Sequence, residues 1–436
     1  MRKKGLGFLS LVSIVIGSQI GSGAFVLPSV LAPFKTIGLL GWGVSVSGAI
    51  VLALIFAELA SHLPKNGGPH VYVGEAFGRV TSFFTAWIYW IISWSSSSVL
   101  LVTTLNYLKM ITGSLTTLEG LSIELMILFA VTYVNVVGVK FSGIIETVLT
   151  FLKVIPLIVL PVIFFFFFDP SHFHFSIKTI AGDADPLSVI SKTALLTFWG
   201  FIGVECATTP AESVKNPSKT IPRAIVIGTI CVALIYILNT VSVIGVVGFD
   251  DLLNTCAPYA MAMSKIFSHF SDVAISVVAI IVCVGTLNAW TLTSSQIAYG
   301  AVSDGLFPKI FAKTNKADAP VFSLWISSIG MIPFLILSEI NCMQHGLERL
   351  IDLLVSIFIF VYLVCCISFV KMIKKWYPNK GKRLRMMALS QFAILFCIFT
   401  LYQDLTASFI VLCIFLILGF PIFWKHRNDI RTWSSQ

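Results

Sequence analysis

Seven consecutive residues near the start of the chain, Gly17-Ser18-Gln19-Ile20-Gly21-Ser22-Gly23, set three glycines and three polar side chains inside an otherwise apolar run. Backbone polar groups at bilayer depth must be bonded within the segment, so a glycine-rich stretch there is tolerated only where it faces protein or a cavity. Two readings stand: a small-residue surface for close helix packing, or a broken helix whose freed N–H groups hold a carboxylate. It is not a phosphate loop, because no Gly-Lys-Ser/Thr follows. A second interruption of the same kind is Phe198-Trp199-Gly200-Phe201-Ile202-Gly203-Val204-Glu205, with Gly203 lying 182 residues after Gly21.

Two ionisable residues fall well inside apolar runs, Lys153 and Glu205. Each would cost roughly 2.5–3.5 kcal/mol if it faced lipid, which makes both functional candidates by default. The bland alternative is a structural ion pair or a side chain that snorkels to the interface. Glu58, six residues before Pro64, reads as interfacial. Four consecutive serines, Ser95 to Ser98, are either a packing surface or a polar cavity wall, and Phe164 to Phe168 reads as facing lipid. The nine cysteines contain no C-x-x-C and no His/Cys spacing suited to zinc, so no metal or other cofactor is expected. Cys256 and Cys342 both fall in expected outer loops, which leaves a disulfide between them open.

The elements that must position these residues follow from composition. Of 436 residues 57% are hydrophobic and 11% charged, with mean hydropathy +0.94, whereas soluble domains carry about 25% charged residues. A hydrocarbon core needs roughly 20 apolar residues per helix. Apolar runs divide the chain into spans at about 8–31, 38–62, 82–108, 121–139, 144–168, 188–209, 224–247, 273–300, 321–338, 350–370, 387–403 and 406–424. The expected fold class is an all-α membrane protein of about twelve transmembrane helices. The run from Leu6 to Leu31 is too long for a signal-peptide core and lacks a small-residue exit, so it reads as the first span. With the N-terminus placed inside, 22 Lys and Arg fall in inner segments and six in outer ones. That bias predicts cytoplasmic termini and an even number of spans. It also accounts for the formal net charge of +9 without nucleic acid as a partner. Because both interruptions open a set of five spans, spans 1–5 (about 8–168) and 6–10 (about 188–370) read as an inverted repeat within a core of 1–370, with 371–436 outside it.

Several blocks carry a family resemblance. Gly21-Ser22-Gly23-Ala24-Phe25 resembles the G-x-G-I-F signature of the amino acid–polyamine–organocation superfamily. Pro64 to Gly78 resembles its loop after span two. Gly203-Val204-Glu205 followed by Val214-Lys215-Asn216-Pro217 and Ile221-Pro222 resembles its exit from span six, and Asp304-Gly305-Leu306-Phe307-Pro308 its loop after span eight. The resemblance runs over nearly the whole chain and is strongest to the basic antiporters of the arginine/agmatine type. It implies a leucine-transporter-type fold, a 5+5 inverted repeat plus two helices, and transport by alternating access without ATP. It further implies a substrate site built from Ser18, Ile20, Gly21, Ser22, Gly23, Ser97, Trp199, Ile202 and Trp290. There Ser18, Ser22 and Gly23 face the substrate carboxylate and carbonyls of 199–202 its amino group. Trp199 is implied as an aromatic lid, and Tyr89, Glu205 and Trp290 as a barrier on the cytoplasmic side. The arginine antiporters place Asn where this chain has Ser18 and Ser97, a departure from a guanidinium-specific pocket. Lys153 resembles the span-five lysine of sodium-independent, proton-coupled permeases, whose ammonium stands in for a sodium ion.

These observations predict a sodium-independent amino-acid permease or antiporter of a bacterial inner membrane, with exchange, proton symport and a polyamine or amine cargo all open. Its expected partners are a small-molecule substrate and the lipid bilayer, and a homodimer is left open. A channel is disfavoured because neither repeated charge rings nor a carbonyl filter motif occurs. An enzyme is disfavoured because the seven histidines lie in loops or at span ends, away from any convergent catalytic set.

Overall fold

The structure is a computed structural model, and it describes residues 7–65, 67–137, 139–173, 185–209, 211, 214–267, 270–340, 343–402 and 405–432. Among these residues there are helices and connecting turns but no strand beyond one isolated bridge, Thr314 to Pro320. Ten helical stretches are long and apolar enough to cross a bilayer, and the shorter apolar helices Phe8–Gln19 and Leu152–Phe165 bring the count to about twelve crossings. Cys342 lies outside the described residues, and Cys256 is a free thiol.

The first crossing is two half-helices, α1 (Phe8–Gln19) and α2 (Ser22–Leu31), separated at Ile20 and Gly21. It is followed by α3 (Lys35–His62) and the short loop helix α4 (Pro69–Phe77). The third crossing, expected as one helix, is also divided: α5 (Arg79–Ser95) and α6 (Ser98–Thr112) meet in the serine run. Here four serine hydroxyls each bond a carbonyl three residues back, Ser93 to Trp90, Ser95 to Ile92, Ser96 to Ser93 and Ser98 to Ser95, while the Ser97 hydroxyl is buried without a partner among the described residues. That competition loosens the helical ladder, and the backbone answers with i→i+3 bonds from Ser97, Val99 and Leu100. The next crossings are α7 (Thr117–Val137) and α8 (Val139–Phe165).

The sixth crossing begins as α9 (Pro186–Phe198), tightens into one 3₁₀ turn over Trp199–Phe201, and then unwinds through Glu205 before a second such turn at Cys206–Thr208. Both expected interruptions are therefore breaks in the helix. Beyond it lie α10 (Pro217–Val247), the loop helices α11 (Phe249–Leu252) and α12 (Pro258–Ile266), and the long crossing α13 (Phe270–Ser303). The remaining crossings are α14 (Val321–Ile340), α15 (Met343–Trp376), α16 (Lys380–Leu401) and α17 (Leu405–Thr432).

The broken crossings lie at the centre, α1 against α10 and α13, and α9 against α3 and α15. The last two helices turn large apolar side chains outward, including Leu395, Ile398, Phe409 and Ile417. In a chain of this hydropathy such a surface is what lipid requires. The phenylalanine run is split: Phe166 is 82% exposed, but Phe164 is buried against Tyr259 and Phe168 fills the space above Gly245.

Candidate functional site

A helix that stops leaves its last four carbonyls without intrahelical partners. At the end of α1 every one of these is taken by a side chain from another crossing. Lys153 Nζ in α8 donates to Gly17 O at 2.7 Å, and Trp290 Nε1 in α13 donates to Ser18 O at 3.3 Å. The Tyr236 hydroxyl of α10 donates to Gln19 O at 2.9 Å, and Thr286 Oγ1 of α13 to Ile20 O at 3.1 Å. The break is thus a satisfied structure in which four side chains replace one turn of helix. Lys153 is fully buried, its ammonium sits at the negative end of α1, and Thr286 Oγ1 lies within 3.5 Å of it.

Opposite this end, α2 begins at Ser22 and directs its first N–H groups into the gap, the favourable pole for an anion. Gly23 is required there by close approach, since a Cβ would stand 3.0 Å from Trp199 Cδ1 and 3.1 Å from the Tyr236 hydroxyl. Trp199 in turn donates from Nε1 to Ser22 Oγ at 3.2 Å, closing over α2. On the other broken crossing Gly203 takes φ +100°, a conformation that side chains avoid, and a Cβ there would meet Ser18 Oγ at 3.0 Å. Ser18 Oγ donates to Gly203 O at 3.2 Å, so the two breaks touch directly.

Between the breaks lies a small cavity of about 30 Å³. Of the residues named from sequence, Ser18, Gly21, Ser22, Gly23, Trp199, Ile202 and Trp290 line it together. Ile20 and Ser97 do not line it. Ile20 contributes the carbonyl bonded by Thr286, and the wall expected from Ser97 is supplied by Ser96, because the i→i+3 bonds in the serine run shift the phase of the helix. Gln19, Leu100 and Thr286 complete the lining and were not foreseen. Among the described residues no carboxylate lines the cavity, so a cation inside meets indole faces and carbonyl oxygens.

Glu205 lies beyond Gly203 and is fully buried. Its carboxylate accepts from two tyrosines, Tyr89 OH at 2.7 Å on Oε1 and Tyr362 OH at 2.5 Å on Oε2. Phe358 packs edge-on against Tyr89 and against Trp290, with ring centroids 6.3 Å away in each case. Tyr89, Glu205, Tyr362, Phe358 and Trp290 thus form one continuous layer under the cavity. Sequence reading missed Tyr362 and Phe358, for a lone Tyr or Phe in an apolar run carries no signal of its own.

A chain crossing the bilayer about twelve times, with two broken helices enclosing a small polar cavity, is an integral multi-pass membrane protein of the transporter class. The amino acid permease family model matches residues 6–420, and the chain belongs to that family. It is 29% identical to the cadaverine/lysine antiporter of Escherichia coli strain K12 over 338 residues, 77% of this chain and 75% of that one. It is 26% identical to the putrescine transporter PotE of the same organism over 381 residues, 86% of each chain. It is also 31% identical to the arginine/ornithine antiporter of Pseudomonas aeruginosa over 339 residues, covering 75% and 70%.

Proposed function

We propose that the chain is a sodium-independent exchanger of amino acids and related amines in the bacterial inner membrane, with both termini in the cytoplasm. The observation that carries this reading is the Lys153 ammonium bonded to the freed carbonyl of Gly17, a position at a broken helix where a metal cation would otherwise be needed. The substrate carboxylate is held by the N–H groups at the start of α2 with Ser18, Ser22 and Gly23. Its amino group is held by carbonyls at 199–202, beneath the Trp199 indole. Alternating access then amounts to opening either the Trp199 lid or the Tyr89–Glu205–Tyr362 layer with Trp290, as 8–168 and 188–370 rock about the site and 371–436 stays outside the repeat. The names of the three relatives give cationic substrates, cadaverine and lysine, putrescine, and arginine and ornithine, which favours a cargo bearing an ammonium beyond the α-amino group.

Proton symport is the second reading, favoured by the two ionisable side chains buried beside the cavity, Lys153 and Glu205. Uptake of labelled lysine, arginine, ornithine, cadaverine and putrescine into proteoliposomes tests both. Exchange requires internal counter-substrate and ignores a pH gradient; symport requires the gradient and no counter-substrate. Under either, replacing sodium by potassium or choline leaves the rate unchanged, and a strict sodium requirement refutes both.

A further inference from the structure

A cleft of about 460 Å³ opens between α9, α15 and the start of α17, on the Trp199 side of the central cavity. Lys192, one of its lining residues, precedes Trp199 by seven positions, about 10 Å along a helix. The cleft carries two cations, Lys192 and Arg349, and two anions, Glu348 and Asp352. They are not equivalent. Lys192 donates to Asp352 and so ties α9 to α15 at the floor, while Glu348 stands off at 3.8 Å from the same ammonium. Arg349, the next residue, is exposed and makes no ion pair or hydrogen bond among the described residues. Ser408 also lines the cleft, and its hydroxyl is buried without a partner. Glu348 borders a second cavity as well, one shared with Val26 and Ser29 of α2, and the Ser29 hydroxyl is likewise buried and unpartnered.

We propose that this cleft is a second, peripheral binding site for α-amino acid zwitterions. Arg349 takes the carboxylate, Glu348 the ammonium, and Ser408 a further hydrogen bond. The substrate then moves past Glu348 along α2, where Ser29 lies about 10 Å from the carboxylate-binding end at Ser22. The charge pattern discriminates: an amino acid satisfies both Glu348 and Arg349, whereas the diamine made by removing its carboxylate meets Glu348 alone and is repelled by Arg349. The cleft therefore selects amino acids over their decarboxylated amines before either reaches the central cavity, a refinement that rests on the transport reading above.

The test is equilibrium binding of labelled L-lysine and of cadaverine to the full-length protein in nanodiscs, alongside uptake by the same preparations. The wild type is expected to bind two lysines but one cadaverine per chain. Arg349→Ala and Glu348→Gln are each expected to leave one lysine site and to raise the KM for lysine uptake about tenfold at unchanged kcat, the effect of losing one charge-assisted hydrogen bond. Arg349→Ala should not weaken cadaverine binding, since it removes the charge that repels the diamine. One lysine per wild-type chain, or an Arg349→Ala protein that binds lysine as wild type does or loses lysine and cadaverine equally, overturns the second site and leaves the transport reading standing. Absence of all binding and uptake in the wild type overturns both.

Discussion

Methionine nearly matches lysine in length, yet Lys153→Met strands the Gly17 carbonyl that the ammonium satisfies at 2.7 Å. Losing a hydrogen bond to a charged group costs about 1.5–3 kcal/mol, so the variant is expected to turn over at least tenfold more slowly in proteoliposomes while still reaching the membrane folded. Glu205→Gln keeps the shape of the side chain but removes the carboxylate that receives the Tyr89 and Tyr362 hydroxyls. Its expected outcome is uptake with a flattened pH profile and substrate binding that persists by calorimetry. If both variants keep the wild-type rate and profile, neither group couples protons. Trp199→Leu removes the indole that closes on Ser22. A cation–π contact is worth about 0.5–2 kcal/mol, so uptake should fall several-fold to about thirtyfold, with the yield of folded protein unchanged. At this scale Lys153, Glu205 and the glycines were legible because each is expensive in an apolar run without a reason. Tyr362, Phe358 and Thr286 were not, because nothing in a span distinguishes a tyrosine that bonds a buried carboxylate from one that packs.

Among the elements, the broken sixth crossing depends on one residue's conformational freedom. Gly203→Ala forces φ +100° on a residue with a Cβ and presses that atom against Ser18 Oγ at 3.0 Å. Such a conformation costs about 1–3 kcal/mol, and the variant is expected to melt several degrees lower in a thermal-shift assay. Pairing it with Ser18→Gly relieves the contact but not the backbone, so recovery should be partial; full recovery would make the contact, and not the dihedral angle, the decisive constraint. The third crossing holds the opposite lesson. Four serines announce a special segment, but the side-chain bonds to Trp90, Ile92, Ser93 and Ser95 carbonyls alter the helical phase. The family resemblance implies Ser97, whereas Ser96 lines the cavity.

For the molecule as a whole, the distribution of lysine and arginine makes a prediction about sidedness. The segment 371–385 carries seven of the 29 basic residues, and the positive-inside bias predicts that it lies, with both chain ends, in the cytoplasm. A single cysteine introduced near the C-terminus of a cysteine-free variant should be labelled by a membrane-impermeant maleimide in inverted vesicles and protected in intact cells; the reverse pattern would turn the proposed lid and barrier around. Cysteine removal is itself benign in prospect, since the described cysteines are free thiols, several of them buried as small apolar groups.

Hydropathy and the cost of polar groups in hydrocarbon are properties of local sequence, which is why about twelve crossings, two breaks and two buried charges could be derived from residue order alone. What answers those costs is not local. The four carbonyls freed at the end of α1 are met by Lys153, Tyr236, Thr286 and Trp290, which lie on three different helices between 130 and 275 residues away. Only the tertiary structure decides which side chains do this, because any span has many polar residues of the right kind and packing alone brings particular ones within hydrogen-bonding distance of a given carbonyl.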